Sequence, residues 1–318
     1  MQNSGEDGVD ITVVVPVLNE EQSVALLYQE LLSALEAVGQ VFELLFVDDG
    51  STDGTYAVLE RLHQQDARVK VIRFRRNFGK SAALAAGFEA AAGEVVFTMD
   101  GDLQDSPAEI PRFLAQLAEG YDLVSGWKYP RHDPPGKTFP SRLFNWTVAV
   151  TTGVKLHDFN CGFKAYRREV VKEIRLYGEL HRYTPILAYQ RGFRVTEIKV
   201  AHRPRKYGRS KYGFRRFARG FFDLLTVLFL GAYTWRPLHM FGWAGIGAFG
   251  LGFLINLYLA ILWFTGRGPI GNRPLLTLGV LLMTVGMQFF SIGLLAEMIT
   301  HGQAEQQASY SIRNRLGE

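Results

Sequence analysis

Two acidic runs carry the residues best suited to chemistry: Val47 to Thr55 reads VDDGSTDGT, and Thr98 to Asp105 reads TMDGDLQD. Asp100 and Asp102, one residue apart, can converge hard oxygen ligands on a single divalent cation, with Gly101 letting the backbone come close. Magnesium or manganese held by so few carboxylates keeps coordination positions open for the phosphate oxygens of a substrate. Taken alone, such an Asp-Gly-Asp is more often a turn that caps a helix, and Asp49 to Gly54 could likewise be a tight turn and N-cap. The elements that carry the two runs decide between these alternatives.

Ile11 to Val17, Phe42 to Val47, Val69 to Phe74, Val95 to Met99 and Leu123 to Gly126 are short, rich in β-branched or aromatic residues, and followed by turn chemistry, which predicts strands. Glu21 to Val38, with Val24, Leu27, Leu31 and Leu35 at helical spacing, and Thr55 to Leu62 predict helices between them. Ser106, Pro107 and Glu109 make a further helix start, and Arg194 to Val200 looks like a last strand. Strands alternating with helices imply an α/β domain whose mostly parallel sheet is covered by helices on both faces. Ligands of such sheets bind beyond the carboxyl ends of the strands. Asp48 and Asp49 end the second strand and Asp100 and Asp102 the fourth, so both pairs fall on that edge. Two decoys fail: Gly245, Gly247 and Gly250 spell G-x-G-x-x-G without a preceding strand, and Gly79, Lys80 and Ser81 lack the earlier glycine of a phosphate loop, which would fall at Phe74.

The 318 residues are 47% hydrophobic and 21% charged, and their mean hydropathy of +0.01 averages two unlike parts. Leu238 to Phe264 holds no Asp, Glu, Lys or Arg, and Leu275 to Ile299 holds only Glu297. Each is long enough to cross a bilayer core roughly 30 Å thick. A wholly soluble protein is excluded, and so is a many-spanning transporter, because the preceding residues carry ordinary charge density. Thr265 to Pro274 joins the spans as a hairpin. Ala244, Ala248 and Gly252, four apart, permit close helix packing within the hairpin or in a homo-oligomer. Eight Lys or Arg residues lie between Arg203 and Arg219. They read as a cytoplasmic flank facing anionic lipid rather than as a nucleic-acid patch. Phe214, Phe217, Phe221, Leu224, Leu225 and Leu228 share one face of Tyr212 to Phe229, as an interfacial or core-packing helix would. Cys161 is the single cysteine, which excludes an intrachain disulfide and suits a reducing compartment, and the polar, acidic Met1 to Asp10 predicts no cleavable signal.

The runs VVPVLNEEQSV, FVDDGSTDGT, NFGKSAALAAG and MDGDLQDSP, in this order and spacing, resemble the second family of glycosyltransferases, whose nucleotide-sugar domain has the GT-A type fold. Continued through SGWKYPR, DFNCGFKAYRRE and RPRKYGRSKYGF into a membrane hairpin, the chain looks like the polyprenyl-phosphate glycosyltransferases, among them dolichyl-phosphate mannose synthases and bactoprenol glucosyl transferases. The resemblance implies that Pro16, Asn19, Glu20 and Asp49 hold the nucleoside with Asp48 nearby, that Lys80 lies near the nucleotide, and that Asp100, Asp102 and Gln104 hold Mg2+ or Mn2+. Asp158, in DFNCGF, would stand near the reaction centre as a general base or as an orienting acid. A lipid phosphate needs cationic partners, for which Arg131, Arg142, Arg205, Arg209 and Lys211 are candidates, with the Ser141 hydroxyl beside them. Gln190 to Phe193 lack the Q-x-x-R-W signature of processive polysaccharide synthases, so transfer of one sugar per lipid phosphate is expected.

The expected chain is therefore a cytoplasmic GT-A domain over 1–200, basic interfacial helices over 201–234, a transmembrane hairpin over 235–300 and a cytoplasmic tail over 301–318. It would lie in the inner (plasma) membrane with the catalytic domain and both termini cytoplasmic. There it would invert configuration while moving a hexose, glucose from UDP-glucose first, to polyprenyl (undecaprenyl) phosphate. Mannose from GDP-mannose and an aminosugar are the alternative cargoes, and a catalytically silent scaffold of a lipid-sugar pathway is the alternative outside enzymes.

Overall fold

The computed structural model describes residues 8–129, 153–154, 156–176, 178, 180–201, 203, 237–266 and 274–304. The chain divides into two compact units, Met1–Val227 and Leu228–Glu318. In the first, the strands β1 (Ile11–Val17), β2 (Phe42–Asp48), β3 (Val69–Arg73), β4 (Val95–Thr98), β5 (Leu123–Lys128), β6 (Lys164–Arg167) and β7 (Val195–Val200) form one sheet in the order β3-β2-β1-β4-β6-β5-β7. All neighbours are parallel except β6, which runs antiparallel to β4 and β5.

The continuous apolar run of β1 follows from burial on both faces of a parallel sheet. Val13, Val15 and Val17 enter one core with Leu44, Phe46 and Phe97, closed by the helices α1 (Val24–Val38) and α4 (Ile110–Ala118). Val14, Leu45 and Val96 enter the other, closed by α3 (Lys80–Ala90) and α5 (Arg168–Glu173). The helices α2 (Thr55–Gln65) and α6 (Thr184–Gln190) complete the layers. Residues 21–23 form a turn ahead of α1, and a short 3-10 helix, Pro107–Glu109, precedes α4. Strand β6 was not anticipated: KAYR is only four residues long and has a cation at each end, yet Lys164 is buried within the sheet.

The second unit is a pair of long helices, α7 (Pro237–Phe264) and α8 (Pro274–Ala304), containing apolar spans at Leu238–Phe264 and Pro274–Ile299. Their outer faces are apolar, with Trp243, Phe264 and Met298 largely exposed, as lipid-facing side chains are. Of Ala244, Ala248 and Gly252, the third lies buried in the seam between the two helices. Ala244 is exposed, and the buried positions of α7 are Gly242 and then Gly245, Gly252 and Leu259, these last three seven apart, opposite Gly279, Gly286 and Gly293, also seven apart. A Cβ on Gly252 would lie 2.6 Å from the Gly279 carbonyl oxygen, so the backbones touch where both helices lack side chains. A seven-residue repeat keeps such a seam facing its partner along two inclined helices, which a four-residue repeat does not. Glu297, the single acid of α8's span, accepts the Leu238 N–H at 3.2 Å and so satisfies one donor at the start of α7.

Candidate functional site

The loops after β1 and β2 are clasped at the carboxyl edge of the sheet. Asn19, at φ 54°, donates its N–H to Ser51 Oγ at 2.9 Å and accepts the Thr52 N–H at 2.8 Å. Glu20 donates its N–H to Thr55 Oγ1 at 2.8 Å, and its carboxylate accepts Ser23 Oγ at 2.8 Å. Pro16 pairs in register with Val47 inside the sheet. Asp48 is fully buried, accepts the Ser51 N–H at 2.9 Å and faces the Arg73 guanidinium at 3.6 Å. Asp49 accepts two backbone donors, Phe78 N–H at 2.7 Å and Gly79 N–H at 2.9 Å, and so pins the loop that leads into α3. Tight-turn and loop-building roles are thus real for these acids, and they bring the start of α3 to the site.

Lys80, the first residue of α3, pairs with Asp100. Burial opposes ionisation of Asp100, but Lys80 and Lys128 outweigh it and hold the carboxyl well below the usual carboxylate range. Lys80 keeps its proton more firmly than usual, since the Asp100 charge overcomes its desolvation. Asp102 is buried and accepts the Gln104 N–H at 3.2 Å. Between them Leu103 sits at φ 63°, a left-handed conformation that a branched apolar residue adopts only under constraint. Asp105 is buried 3.4 Å from the Lys128 ammonium. Burial, with the charges of Asp100 and Asp102, pushes its carboxyl up to about 6 although Lys128 opposes this.

The DFNCGF turn closes the other side. The Gly162 carbonyl accepts Thr98 Oγ1 at 2.8 Å, and a Cβ on Gly162 would collide with the Asp100 carboxylate. Asp158 is buried, with one oxygen accepting the Asn160 N–H at 3.0 Å. Burial pushes the Cys161 thiol up to about 12, which leaves it inert as a nucleophile. Lys164 donates to the Cys161 carbonyl at 2.6 Å, and burial brings its ammonium down to about 8. His181 lies against Ser81, Nδ1 to Oγ 2.9 Å, and burial with the Lys80 charge lowers it to about 2, so its imidazole is neutral.

The structure therefore gathers Asn19, Glu20, Asp48, Asp49, Lys80, Asp100, Asp102 and Gln104 on the loops at one sheet edge, with Asp158 in the DFNCGF turn. Arg131, Ser141, Arg142, Arg205, Arg209 and Lys211 lie outside the described residues, as does the predicted helix over Tyr212 to Phe229. Not anticipated were Asp105, Lys128, Gly162, Lys164 and His181. The first four stand in runs already singled out, TMDGDLQD, SGWKYPR and DFNCGFKAYRRE, but spacing alone did not say that they meet.

Among the described residues no three His, Cys, Asp or Glu side chains form a ready-made metal cage. Two carboxylates of a D-x-D are nonetheless the donor set that a hard cation takes when it also binds substrate phosphates. Asp100 is held ionised beside Lys80, and Asp102 is buried at the same strand end, so both supply oxygens of the kind such an ion takes. Asp100 and Asp102 thus fit a divalent cation shared with substrate, and do not fit a closed structural site.

Over residues 12–175 the chain matches the family described as Glycosyl transferase family 2, and over residues 236–301 it matches the GtrB C-terminal hairpin. It is 38% identical to the dodecaprenyl-phosphate galacturonate synthase of Rhizobium johnstonii, covering 98% of this chain and 94% of the relative. It is also 38% identical to the undecaprenyl-phosphate 4-deoxy-4-formamido-L-arabinose transferase of Pseudomonas paraeruginosa, covering 91% and 84%. Among solved structures it shares its fold with glucosyl-3-phosphoglycerate synthase from Mycobacterium tuberculosis, with TM-score 0.55 at 19% identity over 70% of this chain and 78% of the other. Mannosyl-3-phosphoglycerate synthase from Rubrobacter xylanophilus is similar in fold, with TM-score 0.54 at 17% identity over 70% and 74%. The seven-stranded sheet is accordingly GT-A-like. With a family match over more than half its length and a relative aligned along nearly all of it, the protein belongs to glycosyl transferase family 2 and is a glycosyltransferase with a membrane hairpin.

Proposed function

We propose that the enzyme transfers one sugar from a nucleotide diphosphate donor to polyprenyl phosphate at the cytoplasmic face of the inner membrane, inverting the anomeric centre. The observation that carries this is the pairing of Lys80 with Asp100 beside buried Asp102 at the carboxyl end of β4. It joins a fixed cation and two hard-oxygen donors where a diphosphate would lie. The two curated relatives, named for sugar transfer to polyprenyl phosphates, support the acceptor class.

In this reading Pro16, Asn19, Glu20, Asp48 and Asp49 shape the nucleoside side, and Asp100, Asp102 and Gln104 hold Mg2+ or Mn2+. When bound, the cation neutralises charge on the departing diphosphate. A lipid phosphate oxygen forms a bond to the anomeric carbon as the bond from that carbon to the diphosphate breaks, and the nucleoside diphosphate leaves with the electron pair. A phosphate monoester with its second pKa near 6 is already largely ionised at neutral pH, so no general base is needed. Asp158, buried and partly engaged by Asn160, serves to orient. Arg131, Ser141, Arg142, Arg205, Arg209 and Lys211 are the proposed partners of the acceptor phosphate.

For the sugar, glucose from UDP-glucose remains the first choice on the likeness to bactoprenol glucosyl transferases. Galacturonate is a second reading, favoured by the near full-length relative named for it. The test is to incubate the purified full chain in detergent with Mg2+ or Mn2+ and undecaprenyl phosphate, supply UDP-glucose, UDP-galacturonate, UDP-N-acetylglucosamine or GDP-mannose in turn, and identify the lipid product by mass spectrometry. One lipid-phosphate sugar formed with one donor is expected. No product with any donor would favour a silent scaffold, and an Asp102→Ala variant with full cation-dependent turnover would remove the cation assignment.

A further inference from the structure

On the side facing α1, the loop of Asp100, Asp102 and Gln104 is held by a residue that follows β7. Arg203 donates its backbone N–H to the Gln104 carbonyl at 2.9 Å, and the Gln104 side-chain amide donates back to the Arg203 carbonyl at 3.4 Å. One guanidinium nitrogen of Arg203 donates to both carboxylate oxygens of Glu30, on α1, at 3.0 and 2.9 Å. Another donates to Ser106 Oγ at 3.2 Å. Three segments far apart in sequence thus meet on one side chain.

The surface beside these bonds is open. Between α1 and the start of α4 runs an open groove of about 1220 Å3, walled by Ser33 and Ala37 on one flank and Pro107 and Pro111 on the other. Leu103 and Ser106 of the acid loop border it, as do Glu30 and Arg203. Polar bonds therefore span the groove at the surface, above a core in which Leu103 is buried with residues of α1 and α4. The Arg203–Glu30 pair is partly exposed on both sides, so its worth to global stability is small and its effect is local.

We propose that Arg203, braced by Glu30, is a positioning residue for the acid loop. By gripping Gln104 through backbone and side chain it sets the placement of Asp100 and Asp102 and so tunes affinity for the donor and its cation. Arginine suits the task because its planar fork bonds Glu30 and Ser106 at once, which an ammonium does not. The inference rests on the proposed reading of this loop as the donor site.

The test uses the full chain in detergent and compares Glu30→Ala, Arg203→Met and Arg203→Lys with the parent. Donor KM and the Mn2+ dissociation constant, the latter read by electron paramagnetic resonance without donor, are expected to rise about 10-fold in the first two, in line with residues that orient ligands from behind. Acceptor KM, kcat and the melting temperature stay at parental values, and Arg203→Lys recovers part of the loss. Unchanged donor KM and Mn2+ affinity would overturn the proposal, as would a loss of all parameters in step with a fallen melting temperature. Asp102→Ala separates the two levels. If it keeps Mn2+ affinity and donor KM, the reading of the loop as donor site fails; if it loses them while Glu30→Ala does not, only the latch fails.

Discussion

A methyl group on Gly162 would stand 2.6 Å from Asp100 Oδ2, so the DFNCGF turn and the acid loop meet where the turn has no side chain. Gly162 is absent from the residues at positive φ, which means that space, not backbone freedom, demands glycine there.

Gly162→Ala is therefore expected to push the Asp100 carboxylate off its place without breaking β6. We predict a fall in kcat/KM of about 10- to 100-fold, the range for groups that orient a metal-binding carboxylate. Steady-state kinetics beside a thermal melt checks this. An unchanged kcat/KM would mean that Asp100 tolerates displacement.

In the proposed donor site, Lys80 and a divalent cation would seek the same carboxylate, that of Asp100. Replacing Lys80 by Ala removes a competing positive charge, so Mn2+ should bind severalfold more tightly in the absence of donor. The donor loses a fixed partner for its diphosphate, and its KM should rise about tenfold or more. Opposite movement of the two constants, measured by titration and kinetics, is the signature. Parallel weakening would contradict it. Stability should change by under about 1 kcal/mol, because both side chains retain solvent contact.

In the hairpin, Gly252→Leu forces apart helices that touch through backbone atoms, costing about 2 kcal/mol. Gly247, with nothing near its Cβ position, should accept Ala without loss. Thermal unfolding of both variants in detergent distinguishes this seam from one through Ala244 and Ala248, for which Ala244→Leu would be the damaging change.

Asp66 accepts from Arg68 Nε at 2.9 Å and from the Tyr28 hydroxyl at 2.8 Å, tying the end of α2 to α1. The Arg68 hydrogen bonds, against a smaller cost of burial, bring its carboxyl down from 3.8 to about 2. A depressed folded-state pKa stabilises above the unfolded value and ceases to do so as pH falls through the folded one. The contribution should be present above about pH 4 and gone near pH 2. With Arg68 substantially exposed, it is worth about 1 kcal/mol after screening. Parent and Asp66→Asn stabilities should differ at pH 6 and converge towards pH 2; a constant difference would rule the linkage out.

Much of the framework was legible without coordinates. β1 was read to the residue, because a parallel strand buried on both faces must be apolar at every position. The membrane spans were equally plain, since the bilayer sets their length and excludes charge. β6 escaped because a four-residue strand with cations at both ends has no readable period, and its fit depends on neighbours supplied by β4 and β5. Which small residues line the seam of α7 and α8 was not legible, because uniformly apolar helices carry little facial pattern and only docking of the two backbones selects those that meet.

Within the site, spacing along the chain sufficed to place Asp100 and Asp102 at one strand end, because they are neighbours in sequence. Lys80, Lys128, Gly162 and His181 stand far from them in sequence, and their meeting required the sheet order β1-β4-β6-β5 to bring four loops to one edge. By itself the sequence determined the residue types, the strand periods, the bilayer-length runs and the family, since each is a local pattern. The tertiary structure alone decided which cation faces which acid, why a glycine must sit beside Asp100, and how Arg203 grips Gln104. Those are distances between segments, and distance is set by folding rather than by order along the chain.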